Sequence, residues 1–415
     1  MRRWWSENGV RTITGLTFAV LVSLLLGFVP LARHHSASSV AVEIGSLSQT
    51  QWLVGFLRAP SPNDRAQFRT ARQIDAHFKS VPHFGSLAGS SVGVRWMYAV
   101  AHLLTANKRD AVMRWLGIAM VACSAWLVVA LAWRTGGAGV GSVAGLLFLL
   151  LPGTLFYGRS VSAESAMLFA TSLTVYAYFR GLERRAWAIA SGLAFGLAVI
   201  TAIESLFLIV PLTALSLTWP QDTADRDARR EATPPHVADV DRGRIRLAAT
   251  WLTPLWLLVC GVGIYVVAHP HLWGAAKGPL IDAIVAELKR PHPQALFFGT
   301  VSPRGATPSF ATTVELLLTR LPLVVLLSFA LGVLFSLRQS ARPLVGSSRA
   351  VLRGILLVLV ALVVAHGLLG SPFYAGTNQL LLYWPWIAIG AAFGLFELGT
   401  RITTALSFTE RRASM

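Results

Sequence analysis

The chain has 415 residues, of which 54% are apolar and only 13% are charged. Soluble proteins carry about 25% charged residues, so the composition excludes an ordinary soluble enzyme, and a chain this apolar is not intrinsically disordered. The 36 basic and 19 acidic residues give a formal net charge of +17. Arginines in the loops of a membrane protein set its topology and contact anionic lipid. We therefore expect membrane lipids, and no nucleic acid, as partners of this charge.

Runs of apolar residues recur along the whole chain, and a run of about 20 can cross a hydrocarbon core of about 30 Å as a helix. They predict an all-α polytopic membrane protein, one domain over 1–415, with about ten transmembrane helices in a range of roughly nine to twelve. The first run is longer than the apolar core of a signal peptide, so we expect it to be retained. The predicted spans are 12–31, 115–133, 139–156, 162–179, 186–201, 205–219, 247–268, 321–337, 354–370 and 380–399.

Basic residues divide unevenly between the two sides that these spans define. With the N-terminus in the cytoplasm, 20 Lys and Arg residues fall in cytoplasmic segments and six fall in the short outside loops. The long outside stretch 33–114 is exempt from the positive-inside rule because of its length. We therefore expect both termini to lie in the cytoplasm.

Residues 33–114 form the first of two predicted extracytoplasmic loops. Alternation at Val40, Val42 and Ile44, followed by a β-forming stretch that ends at Leu57, predicts a short extended or hairpin piece. Residues 88–106 are apolar but contain Arg95 and His102. This pattern favours an interfacial helix, with a tilted eleventh span as the alternative.

Two further loops interrupt the spans. The cytoplasmic segment 220–246 carries six acidic residues and six arginines, which predicts a solvated and mobile linker. The second extracytoplasmic loop, 269–320, contains the stretch 279–289, whose apolar residues share one helical face. That stretch predicts a second interfacial helix.

Three carboxylates lie close to predicted span ends. Glu43 follows the first span, Glu164 opens another, and Glu204 separates two short apolar runs. A charge at the middle of a bilayer costs at least about 2.5–3.5 kcal/mol, so acids at this depth usually face a cavity or a partner. Arg159 is the candidate partner of Glu164. The alternatives are an interface-anchoring ion pair for Glu164 and simple loop exposure for Glu204.

Histidines and cysteines offer weaker candidates. His269 and His271 flank a proline and could bring two imidazoles to one cation, with interface anchoring as the alternative. Cys123 and Cys260 each fall inside an apolar run, where they are expected to be small packing residues. The sequence contains no P-loop, dinucleotide-binding fingerprint, nucleophile elbow or zinc-protease motif.

The order of these features resembles the GT-C superfamily of integral-membrane glycosyltransferases, especially the bacterial relatives of protein O-mannosyltransferases and aminoarabinose transferases. Four stretches over about 150–395 carry the likeness. They are Leu151-Pro-Gly-Thr-Leu-Phe-Tyr-Gly-Arg-Ser-Val-Ser-Ala-Glu164, Ser191-Gly-Leu-Ala-Phe-Gly-Leu-Ala-Val-Ile-Thr201, His269-Pro-His-Leu-Trp273 with the later Leu321-Pro322, and Tyr374-Ala-Gly-Thr-Asn-Gln-Leu-Leu-Leu-Tyr-Trp-Pro385.

The resemblance implies a hexosyltransferase that moves a sugar from a polyprenyl-phosphate donor to a lipid, glycan or protein acceptor at the extracytoplasmic face of a bacterial plasma (inner) membrane. It implies that Glu43 is the base or a ligand of a divalent cation, Mg²⁺ or Mn²⁺, and that Glu164 holds the metal or orients the acceptor. The residues expected to bind the donor phosphate are Arg159, Lys277, Arg304 and Asn378. His269 and His271 are further candidate metal ligands.

The chain departs from the family pattern at two places. The family commonly has two acids soon after the first span, whereas Glu43 stands alone, with Asp64 and Asp75 as fallback bases. The basic residue of the last motif is replaced by Asn378, which can donate hydrogen bonds but has no charge. Two other functions therefore stay open: a transporter or flippase of a lipid-linked or small polar substrate, and an inactive scaffold.

Overall fold

The computed structural model describes residues 57–59, six positions between 93 and 103, and the ranges 109–159, 163–182, 185–218, 238–269, 296–297, 300–301, 310–338, 346–368 and 378–413. The predicted first span, the hairpin of the first loop and the interfacial helix over 279–289 lie outside the described residues. For the described part, the all-α fold class is confirmed, apart from one pair of two-residue strands.

Ten α-helices are described in chain order. They are α1 (Arg109–Leu150), α2 (Pro152–Arg159), α3 (Ala163–Gly181), α4 (Arg185–Thr201), α5 (Ile209–Thr218), α6 (Ala238–Ala268), α7 (Phe310–Arg320), α8 (Leu323–Arg338), α9 (Gly346–Leu368) and α10 (Trp384–Ala413). The 3₁₀ helices Ile203–Leu208 and Asn378–Tyr383 precede α5 and α10, and strands β1 (Leu296–Phe297) and β2 (Thr300–Val301) pair antiparallel.

Helix α1 is two helices joined at Gly137. Its 42 residues would extend about 63 Å as a straight helix. Gly137 instead has φ 84° and ψ −169°, a conformation that is essentially confined to glycine. A Cβ atom at Gly141 would lie 3.0 Å from the Val129 carbonyl oxygen, so the chain folds back on itself here. This hairpin agrees with the two spans predicted at 115–133 and 139–156.

The span predicted at 139–156 is interrupted at Leu151. Helix α1 ends at Leu150 and α2 begins at Pro152. Proline has no backbone N–H and is favoured in the first turn of a helix, so Pro152 both ends the preceding helix and begins the next one. Hydropathy alone does not detect this break, because the residues on both sides of it are apolar.

Helices α4 and α6 run parallel and in close contact. Cβ atoms at Gly192 and Gly196 would lie 2.3 Å from the Trp256 carbonyl oxygen and 2.6 Å from Ile264 Cδ1, respectively. Small residues allow helix backbones to approach in this way in membrane proteins, where association depends on van der Waals packing. The parallel orientation agrees with the spans predicted at 186–201 and 247–268, which cross the membrane in the same direction.

Several helix ends meet at one end of the bundle. The second half of α1, together with α2, packs antiparallel to α10, because Gly139 of α1 contacts the Phe396 ring while Gly153 of α2 contacts the Trp384 ring. We call this end, defined by residues 150–159, 163–165, 200–208, 268–269 and 378–384, the junction end. All of its members belong to segments that the charge distribution places at the outer ends of spans.

The helices form a membrane domain with an apolar interior and an apolar surface. The largest fully buried side chains include Trp386, Tyr178 and Phe148. Leu323 and Leu337 of α8 are each 69% exposed, and large exposed apolar surfaces mark contact with lipid or with a partner. Among the described residues, the stretches Arg114–Leu150, which contains the hairpin at Gly137, and Leu381–Leu406 have the length and hydropathy of membrane-spanning segments, and five shorter apolar helices accompany them.

Two helix boundaries and one strand pair differ from those expected. Helix α6 begins at Ala238, inside the segment predicted to be a mobile linker, and α10 continues to Ala413, beyond the predicted end of the last span. The strand pair β1–β2 lies in the second extracytoplasmic loop, where only a helix was predicted. The described positions of the segment 88–106 are helical, in agreement with the helix predicted there.

Candidate functional site at the junction end

Glu164 lies where α2 and α3 meet. It is half-buried in the first turn of α3, where the helix dipole favours a negative charge. Ser165, its neighbour, donates a hydrogen bond from Oγ to the Tyr157 carbonyl oxygen at 2.8 Å. This bond holds the first turn of α3 against the last turns of α2, which ends at Arg159. The Arg159 side chain lies outside the described residues, so its predicted pairing with Glu164 stays a prediction.

The 3₁₀ helix Asn378–Tyr383 packs against both α2 and α3. The structure therefore brings three sequence-predicted residues, Arg159, Glu164 and Asn378, onto elements in mutual contact, although they are far apart in the chain. The Tyr383 hydroxyl donates a hydrogen bond to the Leu362 carbonyl oxygen of α9 at 3.3 Å, which ties this segment to the core. The side chain of Asn378 is not described.

The Trp384 ring of α10 packs directly against the α2 backbone. A Cβ atom at Gly153 would lie 2.0 Å from its ring atom Cη2, so only glycine allows the indole this close to the α2 backbone. Three buried polar atoms in this region, Thr154 Oγ1, Trp384 Nε1 and Trp386 Nε1, have no hydrogen-bond partner among the described residues. Thr154 and Trp386 are fully buried, and Trp384 is 5% exposed.

His269 lies at the junction end beside the last turn of α6. Its Nδ1 is 2.8 Å from the Tyr265 carbonyl oxygen, and its ring stacks on Tyr265 with a centroid separation of 3.9 Å. Because a carbonyl only accepts, Nδ1 donates this hydrogen bond. The side chain is only 2% exposed.

Described positions of the segment predicted as an interfacial helix contact this end of the bundle. Trp96 Nε1 donates a hydrogen bond to the Ala268 carbonyl oxygen at 3.0 Å. A Cβ atom at Gly93 would lie 3.0 Å from the Ile200 carbonyl oxygen. Both contacts involve helix ends, those of α6 and α4, and they bring the described part of the first loop to the junction end.

The remaining predicted site residues cannot be placed. Those outside the described residues are Glu43, Asp64, Asp75, His271, Lys277 and Arg304. The backbone of Glu204 belongs to the 3₁₀ helix Ile203–Leu208, but its side chain is not described. Within the described ranges, no three His, Cys, Asp or Glu side chains gather as a metal site would require.

Sequence reasoning did not single out Thr154, Trp384 or Trp96. Thr154 and Trp384 lie inside two of the stretches that carry the family resemblance, but they have no charge that would draw attention in an apolar segment. Their buried and unpartnered state follows from contacts between distant helices. The Pro-Gly pair at 152–153 is the one local feature that indicates an unusual backbone approach there.

A comparison with protein families identifies part of the chain. Residues 90–227 match the model of the dolichyl-phosphate-mannose-protein mannosyltransferase family. The match supports the resemblance to the GT-C superfamily over these residues. The matched range includes α2 and the first turn of α3, with Arg159 and Glu164. No curated protein matches the chain.

Two solved structures are similar to this chain. One is the crystal structure of ArnT from Cupriavidus metallidurans bound to undecaprenyl phosphate, with 16% identity, a TM-score of 0.48 and coverage of 89% of this chain and 63% of that chain. The other is ArnT from the same organism in the apo state, with 15% identity, a TM-score of 0.45 and coverage of 87% and 60%. The chain spans less than two thirds of the length of either structure.

Proposed function

We propose that this protein is a glycosyltransferase that moves a sugar from a polyprenyl-phosphate donor to an acceptor at the extracytoplasmic face of a bacterial inner membrane. The observation that carries the proposal is the match of residues 90–227 to a mannosyltransferase family. The geometry supports it, because the matched range contributes a half-buried carboxylate, Glu164, to an end of the bundle where several helices terminate.

The reaction needs a base for the acceptor and a stabiliser for the leaving phosphate. The acceptor hydroxyl oxygen attacks the anomeric carbon, the bond from that carbon to the phosphate oxygen breaks, and the hydroxyl proton passes to a carboxylate. We assign Glu43 as the base that takes the proton, and Glu164 as the residue that orients the acceptor. Arg159, Lys277, Arg304 and Asn378 are assigned to the departing phosphate, whose charge grows as the bond breaks.

A divalent cation, Mg²⁺ or Mn²⁺, is compatible with these roles but needs more ligands than the described residues provide. Such cations take about six oxygen ligands. The junction between α2 and α3 provides one described carboxylate, that of Glu164. Glu43 is the predicted second ligand, and His269 and His271 are weaker candidates. When bound, the cation would neutralise charge on the departing phosphate, and the residue roles given above do not depend on it.

The test is sugar transfer by purified protein in lipid nanodiscs, with undecaprenyl phosphate-linked mannose, glucose and aminoarabinose as donors and release of undecaprenyl phosphate as the readout. Glu164→Gln keeps the size of the side chain and removes its charge. We expect it to lower kcat/KM by about 10²–10⁴-fold. Glu43→Gln is tested in parallel.

Glu397→Gln is the matched control. Glu397 forms an exposed pair with Arg401 at 3.4 Å, in the half of α10 away from the junction end. We expect this variant to retain wild-type activity. Full activity of Glu164→Gln would reject its assigned role. Movement of an intact lipid-linked sugar across the bilayer without cleavage would support a flippase, and absence of both activities would support a scaffold.

A further inference from the structure

The contact between α2 and α10 contains buried hydrogen-bond donors that the proposed chemistry does not use. Thr154 Oγ1 and Trp384 Nε1 have no partner among the described residues. The hydroxyls of Thr171 and Thr174, by contrast, donate to backbone carbonyls one turn earlier, each at 2.7 Å. Leaving a buried donor unpaired costs about 1–3 kcal/mol. Two such donors in one contact therefore need an explanation.

The two donors belong to elements that meet. Gly153 contacts the Trp384 ring directly, and Thr154 is the next residue of α2. The 3₁₀ helix that leads into Trp384 packs against α2 and α3, and α3 carries Glu164 in its first turn. The unpaired donors thus lie at the same junction as the carboxylate assigned to the reaction. Ser172 and Ser205 are also buried without a partner, but no described contact joins them to the Trp384 ring.

The chemistry of these groups indicates the class of ligand. An indole N–H only donates, and a threonine hydroxyl donates as well as accepts. Both are neutral, whereas phosphate is usually bound by cationic groups. Neutral donors, one of them on a flat aromatic ring and the other on the helix that contacts that ring, suit a ligand that has hydroxyl oxygens around an apolar ring. A sugar ring has this composition.

We propose that Thr154 and Trp384 bind the sugar of the lipid-linked donor through its hydroxyl oxygens, and that they contribute to the choice of sugar. The inference rests on the proposed function for the identity of the ligand. Trp386 is not included. It lies two residues further along the helix, about 200° around the axis at 3.6 residues per turn, and so belongs to the opposite face of α10.

The experiment measures binding without turnover. Native mass spectrometry gives Kd values of undecaprenyl phosphate-linked mannose, glucose and aminoarabinose and of bare undecaprenyl phosphate for the full-length protein. We expect wild type to bind at least one sugar-bearing lipid more tightly than the bare lipid. Thr154→Val removes the hydroxyl at nearly constant volume, and Trp384→Phe removes the indole N–H together with its five-membered ring; each should weaken that binding about 5–30-fold. Binding of the bare lipid should change less than about twofold.

Matched controls separate a ligand role from a packing role. Trp386→Phe removes an unpaired indole N–H on the other face of the same helix, and Thr171→Val removes a hydroxyl that is already satisfied within its helix. Neither should alter the ratio of the two lipid affinities. The Tm of ligand-free Thr154→Val should not fall, because it removes an unpaired buried group. Trp384→Phe should lower the Tm no more than Trp386→Phe does, because both lose the same buried ring atoms.

Each other outcome overturns the proposal. Equal losses for both lipids would identify the phosphate or the lipid as the ligand. Unchanged affinities, or a wild type that binds no sugar-bearing lipid better than the bare lipid, would assign the donors to buried water. Because binding is measured apart from transfer, a protein that binds the sugar selectively but transfers nothing would reject the proposed function and keep this inference.

Discussion

Gly332 is the position where one added methyl group should most disturb the helix packing that supports the junction end. Helices α8 and α10 are packed backbone to backbone here. A Cβ atom at Gly332 would lie 2.1 Å from the Gly390 carbonyl oxygen, and one at Gly394 would lie 2.1 Å from the Ser328 carbonyl oxygen. These neighbours are backbone atoms and cannot rotate away. Contacts between heavy atoms become favourable near 3.5 Å, so Gly332→Ala must separate the helices by roughly 1.4 Å.

The cost of Gly332→Ala follows from this separation. Overpacking a well-packed interior costs about 1–3 kcal/mol, and the loss of backbone contact along two helices favours the upper half of that range. At an unfolding entropy of about 2.1 cal/mol/K per residue, each kcal/mol corresponds to a Tm change of about 1 °C in a chain of 415 residues. We therefore expect the Tm of the protein in detergent to fall by about 2–3 °C. Because α10 begins at Trp384, transfer activity should fall as well.

The control is Gly263→Ala in α6, where an added Cβ atom would meet nothing within 4 Å. Alanine is favoured over glycine in a helix by about 1 kcal/mol, so this variant should be as stable as the wild type or slightly more so. The measurement is thermal unfolding of both variants in the same detergent. A Gly332→Ala protein with the wild-type Tm would show that α8 and α10 are not in backbone contact. A Gly263→Ala protein with a Tm as low as that of Gly332→Ala would show that crowding between α8 and α10 is not the cause of the loss.

Two further predictions test the hairpin and the orientation. Gly137→Ala places a side chain in a backbone conformation that only glycine adopts readily, although no neighbouring atom obstructs the added methyl group. It should lower the free energy of unfolding by about 1–3 kcal/mol, measured as a lower Tm. A wild-type Tm would contradict the φ angle described there. Green fluorescent protein fused after Met415 should fluoresce, because the positive-inside rule predicts a cytoplasmic C-terminus; an active alkaline phosphatase fusion at the same residue would contradict it.

Much of the helical fold could be predicted because apolar runs report burial in lipid directly. The helix predicted at 321–337 is observed as Leu323–Arg338, and that predicted at 186–201 is observed as Arg185–Thr201. Boundaries were predicted less well where the backbone changes and the hydropathy does not. At Leu151, and in the 3₁₀ helix Ile203–Leu208, the residues stay apolar while the helix breaks or tightens, so a hydropathy pattern contains no information about the change.

The candidate site could be predicted only where a charge marked it. Glu164 was identified because a carboxylate at a span end is costly and therefore conspicuous. Thr154 and Trp384 are ordinary residues in an apolar segment, and their importance depends on Gly153 letting α2 approach α10. That approach joins residues more than 200 positions apart in the chain, and a single sequence does not specify which distant segments meet.

The distribution of helix breaks explains why a polar reaction would take place at the junction end. At this end α1 gives way to α2 at Leu151, α4 to a 3₁₀ helix after Thr201, and a second 3₁₀ helix leads into Trp384. Breaks release backbone N–H and C=O groups from their helical partners, and lipid cannot satisfy them.

Such backbone is tolerated at membrane depth only inside protein or beside a polar cavity, which is also where membrane proteins bind polar substrates. Toward the other end, the described helices contact each other through aromatic side chains. The Arg180 guanidinium lies 5.8 Å from the centroid of the Trp187 ring, and Tyr176 makes an edge-to-face contact with the same indole. At the junction end, Thr154 Oγ1 and Trp384 Nε1 are instead buried without a partner among the described residues, and the half-buried Glu164 belongs to a helix that packs against the 3₁₀ helix leading into Trp384.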